Sequence, residues 1–536
     1  MWLKRKINVI NDCRGMDNEE IIEKVFEGRN IQDMDHFLNP TQEDMLPLDS
    51  LYRIDDAAKI VIDGIKNRKK FMVYYDVDCD GISSGTIITR YLKDFGINPK
   101  TYINKGKIHG VTEDSLKYIS DINILIVVDS LNSDIELYKK IKEKGIEIIV
   151  LDHHDINKTI PYDEYVVLVS SNRNYDNKEL SGAGVSMKFV LYLDSLLGTF
   201  EANKYYDLAA CGILADVMLV DEQHMENRYI VKRGLENINN LAIKKIIGSY
   251  KFDSNSVLFS IAPIINASMR YDKNQYAMDL FLSEDVNYIS KCLDVLKSCK
   301  EKQTEEIKNL IPDLIKQAEK QKDKNVLFLV VDTESGISGL LATKILDIFS
   351  KPTIVVKETY SGYVGSLRAE GCDFKSLCES TKCGNFSGHE MAAGVFINYD
   401  KTDEFIKKIN KLVKGVKFKK EINVDLLLDV ADVNTTLLSY VKEIDFVSGN
   451  GFKPISVLIE CDDYEVSTMS KGKHLVIKPS FYNGFQFIKW NAGDKEDEFE
   501  DHEVCGDKLS FTGSLDMGYI GRNFSCRLIC NDIIVN

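Results

Sequence analysis

The 536-residue chain is 44% apolar and 28% charged, with a formal net charge of −15. Those are globular values with length for about three or four domains, and no apolar run reaches the ~20 residues needed to span a bilayer. The acidic balance does not advertise a nucleic-acid binder, although a basic channel can sit on an acidic body. Twelve cysteines are dispersed without close pairing. Cys378 and Cys383 are neighbours, but no Cys or His set beside them completes a zinc pattern. Reduced thiols and a cytoplasmic location are expected, and residues 1–7 are basic but lack the apolar core and cleavage site of a secretion signal.

Residues 1–60 read as a helical lead-in with a break at Asn39-Pro40. Residues 61–285 hold three β-rich runs: Phe71-Met72-Val73-Tyr74-Tyr75, Ile124-Leu125-Ile126-Val127-Val128, and Ile146-Glu147-Ile148-Ile149-Val150-Leu151. Helix-length stretches separate them, the pattern of parallel strands in an α/β sheet. Residues 286–324 form a charged, amphipathic helical connector, with an interruption expected at Pro312. A second α/β unit spans 325–420 and includes a run of lysines at 401, 407, 408, 411, 414, 417, 419 and 420, read either as solvated surface or as a phosphate-tracking face. Residues 421–536 carry short alternating strands and predict a small β-barrel or sandwich.

Each run of the first unit ends in acids: Asp76-Val77-Asp78-Cys79-Asp80-Gly81, then Asp129, then Asp152-His153-His154. A fourth segment, Ala215-Asp216, joins them. Ligands of such sheets gather beyond the carboxyl ends of the strands, and carboxylates crowded there repel unless cations, protons or solvent intervene. If extended, the first segment puts alternate carboxylates on one side, with Gly81 allowing close backbone approach. Ser83 and Ser84 would begin the next helix, its N-terminus facing an anion. Oxygen-rich ligation with one or two imidazoles suits Mn²⁺ or Mg²⁺. Two cations about 4 Å apart, sharing a carboxylate, would polarise phosphate and activate water. Asp129 and Asp152 both qualify as that bridge.

These residues resemble the DHH phosphoesterases. Asp76–Gly81 is similar to their first motif, Asp129 to the second-motif aspartate, Asp152-His153-His154 to the namesake triplet and Gly212-Ile213-Leu214-Ala215-Asp216 to the fourth motif. Further matches are similar to the RecJ branch, single-strand-DNA-specific 5′-to-3′ exonucleases: Phe37-Leu38-Asn39-Pro40, Leu180-Ser181-Gly182-Ala183-Gly184-Val185, Pro263-Ile264-Ile265-Asn266-Ala267-Ser268-Met269-Arg270, Gly365-Ser366-Leu367-Arg368 and Gly388-His389-Glu390-Met391-Ala392-Ala393-Gly394. The resemblance spans roughly residues 30–490.

The resemblance implies a DHH catalytic domain with a parallel sheet (61–285), the helical connector, a DHH-associated substrate domain (325–420) and a C-terminal OB-like β-barrel (421–536). It assigns Asp76, Asp78, Asp80, Asp129, His153 and Asp216 to the metal and adds His154, as ligand or phosphate-orienting group, to the catalytic set. Asp129 becomes the preferred bridge between two ions. Arg270, Ser366, Arg368 and His389 would grip nucleic-acid phosphate across an interdomain cleft. Gly449-Asn450-Gly451-Phe452-Lys453-Pro454 and Gly472-Lys473-His474 resemble the entry and nucleic-acid-facing segments of the barrel, giving Lys473 and His474 substrate roles. Phe481, Tyr482, Phe485, Phe487 and Trp490 divide between stacking surface and core. Two departures stand out: Tyr74, where the superfamily often has histidine, and Ala369, where serine usually follows Arg368.

The implied activity is metal-dependent hydrolysis of single-stranded DNA from a 5′ end to 5′ mononucleotides, in recombination, repair or replication. Hydrolysis of short oligonucleotides or cyclic dinucleotides is the enzymatic alternative, and an inactive replication or repair scaffold the other. A monomer is expected, with a helicase, topoisomerase or single-strand-binding protein as the kind of partner such an enzyme meets.

Overall fold

The structure, a computed structural model, describes residues 7–333, 336–414, 416, 422–482, 484–520 and 523–536; Lys417, Lys419 and Lys420 of the lysine run lie outside the described residues. The chain divides into two compact units, one of Met1–Asn266, Asn274–Leu293 and Asn423–Asn536, the other of Ala267–Lys273 and Asp294–Ile422.

The lead-in holds helices Asn18–Gly28 and Met34–Leu38 and the start of helix Ile54–Lys66, while its first strand corrects the helical reading at the beginning. Strand β1 (Ile7–Asp12) lies beside a C-terminal strand, and the following Cys13 N–H donates to the Leu427 carbonyl at 3.0 Å. Local β-branched residues and a distant sheet edge together override the helical expectation.

Strands β2 (Phe71–Tyr75), β3 (Lys100–Ile103), β4 (Ile124–Val128), β5 (Glu147–Asp152) and β6 (Val167–Ser170) form one sheet in the order β3-β2-β4-β5-β6. Every pairing is parallel. The direction of strand addition reverses at β2, and the crevice between β2 and β4 opens at their carboxyl ends. Both strands are buried along their whole length, which is why their sequences are continuous apolar runs. Met72, Tyr74, Leu125, Val127, Ile148 and Val150 belong to the core on one face.

The second unit contains β7 (Leu327–Val330), β8 (Thr353–Glu358), β9 (Gly362–Arg368), β10 (Asn385–His389) and β11 (Ala392–Asn398), ordered β10-β11-β9-β8-β7. Helix Val286–Glu319 runs through Pro312 without the expected break. Ile307 before the proline and Leu314 and Ala318 after it are buried in one cluster, so packing on both sides carries the helix past the missing hydrogen bond.

Strands β12 (Ile422–Leu428), β13 (Val457–Cys461), β14 (Tyr464–Met469), β15 (His474–Pro479), β16 (Phe485–Lys489), β17 (Leu509–Ile520) and β18 (Asn523–Val535) join β1 in an eight-stranded mixed sheet ordered β1-β12-β13-β17-β18-β16-β15-β14. No pairing of β14 with β1 closes it among the described residues. Phe485 and Phe487 enter its core, Phe487 stacking on Phe511, whereas Phe481, Tyr482 and Trp490 keep exposed surface.

The Gly449–Pro454 segment, expected at the entry to the barrel, packs against the first unit's lead-in. Phe452 is buried against Phe37, and the Asn450 carbonyl accepts the Val220 N–H at 3.0 Å. At this joint the fully buried Arg228 lies over the Phe37 ring and donates to the carbonyls of Phe37, Val220 and Val447 at 2.6, 3.2 and 3.0 Å. Replacing Arg228 with Met removes all three donors while leaving apolar bulk. Each abandoned buried carbonyl costs roughly 1–3 kcal/mol; the expected loss in urea unfolding is therefore at least about 3 kcal/mol, and a change under about 0.5 kcal/mol would refute this role for Arg228.

Candidate metal centre

The loops beyond β2, β4 and β5 converge. Asp78 caps helix Cys79–Asp94, its carboxylate accepting the Gly81 N–H at 3.0 Å, and the Cys79 N–H donates to Asn266 Oδ1 at 2.9 Å. Ser83 and Ser84 consequently sit inside that helix, buried, and do not begin it. Asp80, the second residue of that helix, points at the start of a second helix, Gly182–Leu197. Its Oδ1 accepts Ser181 Oγ–H at 2.9 Å and Ala183 N–H at 3.0 Å, and its Oδ2 accepts Gly182 N–H at 2.7 Å. This places a carboxylate on the positive end of a helix. Asp216 caps the C-terminus of helix Tyr206–Ala215.

Three overlapping donor sets result: Asp76, Asp78 and Asp129; Asp80, His153 and Asp216; Asp129, His153 and His154. Within each set the ligand atoms lie within 4.8 Å of one another. His153 Nε2 is 3.2 Å from Asp129 Oδ1, 3.3 Å from Asp216 Oδ2 and 3.9 Å from Asp80 Oδ2. Asp129 belongs to two sets; Asp152, the other sequence candidate for a bridge, instead accepts the His154 Nδ1–H at 2.8 Å.

Close packing requires glycine at three positions. A Cβ on Gly81 would strike Asp76, one on Gly182 would strike the Asp129 carboxylate, and one on Gly212 would strike Asp80 and Ala183. The backbone is also strained: Asp129 has φ 55° and the β-branched Val217, next to Asp216, has φ 60°. Asp129 is fixed there by its N–H, which donates to the Leu151 carbonyl at 2.8 Å. Such conformations cost roughly 1–3 kcal/mol each and persist where the surroundings over-determine them.

Burial pushes the Asp76 carboxyl up to about 6, opposed by the His109 hydrogen bond. Burial and the charges of Asp80 and Asp78 push Asp216 up to about 8. Asp129 stands well above the ordinary carboxylate range because it is buried among Asp80, Asp78, Asp76 and Asp216. Burial lowers His153 and thereby favours the neutral imidazole that a metal requires. Burial opposes charge on His154 too, but the Asp152 hydrogen bond outweighs it and raises this histidine to about 10. Asp76 Oδ1 and Asp129 Oδ1 are buried and accept no hydrogen bond. Orphaned oxygens, a neutral imidazole and crowded carboxylates fit a hard divalent cation such as Mn²⁺ or Mg²⁺.

The second unit holds the expected phosphate-gripping residues. Arg368 lies opposite Ala392, and Ala392 opposite His389, while Ser366 lies opposite Gly394; the antiparallel register puts Arg368, His389 and Ser366 on one sheet face. Ser338 Oγ, opening helix Ser338–Phe349, is 3.0 Å from Ser366 Oγ. Gly339 leaves the room that the Arg368 guanidinium fills. In the same unit, the charged neighbours of half-buried Lys300 are Arg270 and Lys344. In the C-terminal sheet, His474 Nδ1 accepts the Asn491 N–H at 3.0 Å and its ring meets Trp490 edge-on at 4.8 Å, directly after Lys473. His109, which donates from Nδ1 to Asp76 Oδ2 at 2.7 Å, was missed by sequence reasoning; it stands in a loop with no motif around it.

Comparison with known proteins bears on the family and the fold. Residues 70–213 match the DHH family N-terminal domain and residues 323–415 the DHHA1 domain. YorK, an SPbeta prophage-derived protein of Bacillus subtilis named provisionally as a single-strand DNA-specific exonuclease, is 28% identical over 499 residues, covering 84% of each chain. The single-stranded-DNA-specific exonuclease RecJ of Bacillus subtilis is 25% identical over 530 residues, or 93% of this chain and 66% of RecJ. The Mn²⁺ complex of RecJ from Thermus thermophilus superposes with a TM-score of 0.78 at 22% identity, over 99% of this chain and 80% of the other.

Two outcomes follow from the crowded acids. Gly212→Ala should weaken Mn²⁺ binding about tenfold in calorimetry, because overpacking costs about 1–3 kcal/mol and here falls on Asp80; unchanged binding would show that the cradle has slack. The pKa values of Asp76 and Asp216 are raised on folding, so the metal-free protein holds their protons below about 6 and about 8 respectively. Mn²⁺ must displace those protons. Calorimetry in buffers of different ionisation enthalpy should show more proton release at pH 6.5 than at pH 8.5, and affinity rising across that interval; no pH dependence would contradict the assignment.

Proposed function

As the chain belongs to the DHH/DHHA1 phosphoesterases and is related to the RecJ exonucleases, we propose that it is a metal-dependent 5′-to-3′ exonuclease that hydrolyses single-stranded DNA to 5′ mononucleotides. The observation that carries the reading is the convergence of six acids and histidines, Asp76, Asp78, Asp80, Asp129, His153 and Asp216, joined by His154, into donor sets sharing Asp129 and His153. Mn²⁺ or Mg²⁺ bound there supplies Lewis-acid polarisation of a phosphodiester oxygen and a lowered pKa for attacking water. Two ions are proposed, with Asp129 as the shared carboxylate.

The protein's own groups do the rest. Asp80, held by three donors at a helix start, sets the depth of the site. His154, kept cationic by Asp152, faces the phosphate and offsets its developing charge. Arg270, Ser366, Arg368 and His389 bind backbone phosphate in this reading, the two arginines through planar forks that match its oxygens. Lys473 and His474, with exposed Trp490, Phe481 and Tyr482, take the trailing strand by stacking and charge. A reducing cytoplasmic setting accords with twelve free cysteines, and no helix among the described residues is long and apolar enough to cross a membrane.

The test is Mn²⁺-dependent digestion of long single-stranded DNA labelled separately at each end, beside matched duplex, RNA and dinucleotide. The 5′ label should leave first, as a mononucleotide. Asp129→Ala should lower the rate about a thousandfold, equivalent to about 4 kcal/mol. Early loss of the 3′ label, or cleavage confined to dinucleotides, would overturn the reading.

A further inference from the structure

We propose that His109 is a positioning residue of the metal centre, fixing one oxygen of Asp76 so that the other is presented to a divalent cation. The proposal rests on the metal-centre reading above and extends it to a residue outside the six acids and histidines.

Tyr74 occupies the position at which the resemblance led us to expect histidine. Tyr74 is buried in the middle of β2, and its hydroxyl is 3.0 Å from Asn104 Oδ1 and 3.1 Å from the Gly110 carbonyl. Asn104 Nδ2 in turn donates to the carbonyls of Gly110 at 2.7 Å and Ile108 at 3.0 Å. Asn274 closes the loop from another side, its Nδ2 donating to the carbonyls of Asn104 and Gly106, both at 2.8 Å. The 104–110 loop is thus tied at both ends and at its middle. What it carries in that fixed shape is His109, whose Nδ1–H donates to Asp76 Oδ2 at 2.7 Å.

The two oxygens of Asp76 then differ. Oδ2 is occupied by His109, whereas Oδ1 is buried and accepts no hydrogen bond. Gly81 leaves room for Asp76 in this position, since a side chain there would collide with the Asp76 Cβ and backbone. A carboxylate held by one oxygen offers the other in a defined direction, the arrangement by which outer hydrogen bonds orient metal ligands. Asp78 and His154 are the further charged groups whose fields reach His109, so the ring borders the same centre. The donor Nδ1–H exists in a neutral tautomer as well as in the imidazolium, so the role needs no change of charge. Tyr74 therefore removes a histidine from the strand but clamps the loop that returns one from outside it.

The experiment measures Mn²⁺ binding to the full chain by calorimetry at pH 7.5, for wild type, His109→Ala, His109→Asn and Asp76→Ala, with thermal unfolding in EDTA alongside. Asparagine places an N–H donor on the same Cγ substituent as Nδ1. His109→Ala should bind Mn²⁺ about tenfold more weakly, the usual scale for losing an orienting hydrogen bond; His109→Asn should stay within about threefold of wild type, and unfolding in EDTA should be unchanged. If His109→Ala folds poorly, His109→Phe, which fills the space without a donor, takes its place. Wild-type affinity in the donor-free variant, or equal weakening in His109→Asn, would overturn the proposal. Unchanged binding in Asp76→Ala would overturn it too, and would locate the error in the ligand set. Because the readout is metal affinity, failure of the nuclease assay alone leaves this result standing and identifies the substrate reading as the one at fault.

Discussion

Like-charge crowding governs this protein. Asp76, Asp80 and Asp129 are buried within a few ångströms of further acids at the ends of two strands. Two unit charges 4 Å apart interact by about 4 kcal/mol even at an effective dielectric of 20. Burial first, and this repulsion with it, raises Asp76, Asp129 and Asp216 above the ordinary carboxylate range, so the metal-free centre relieves the crowding by holding protons. A divalent cation relieves it without protons and can draw on the oxygens that accept no hydrogen bond, Asp76 Oδ1 and Asp129 Oδ1. Three glycines, two left-handed backbone positions and a helix start aimed at Asp80 all serve to keep the charges close.

Holding them there requires a stiff surround, and the chain draws it from distant segments. Lys188 and Glu226 form a buried pair at 2.8 Å that also engages Tyr175 and the Leu46 carbonyl. Such a pair is weak evidence for net stability, since two desolvated charges must be compensated, but it ties the lead-in to the catalytic helices in one register. Arg228 does the same for Phe37, Val220 and Val447. Asn450 then clasps the segment just after Asp216, its Nδ2 donating to the strained Val217 carbonyl at 2.9 Å. The C-terminal residues are therefore part of the support of the fourth acidic segment, as well as the source of a separate strand-binding surface in the proposed function.

The strand-end acids were legible in the sequence because both signals are local: a buried parallel strand is a continuous apolar run, and the acid follows it directly. The family resemblance added the register that joins Asp216 to that set. What the sequence hid depends on long-range contact. Nothing near Ile7–Asp12 announces a partner strand some 400 residues away. Gly182 and Gly212 look like ordinary small residues of helical segments until Asp129 and Asp80 are seen against them. Phe452 stands in a glycine-rich turn with no apolar run around it, yet its ring is core. Pro312 shows the opposite error, a strong local signal defeated by packing on both sides.

The energetics of the centre also bear on the choice between an enzyme and an inactive scaffold. A scaffold needs the sheet, the joint at Arg228 and the outer surfaces, none of which depends on ionised carboxylates at the strand ends. Asparagine at 76 or 129 would remove the repulsion while nearly preserving volume, and glycine at 129 would remove the left-handed strain. The chain instead keeps ionisable carboxylates crowded in a buried site, with unsatisfied oxygens and strained backbone beside them. Interactions that lower the stability of the empty protein become favourable once a cation is bound, since binding to the folded state alone stabilises it by mass action. The arrangement is costly for a scaffold and ordinary for a metal-dependent phosphoesterase.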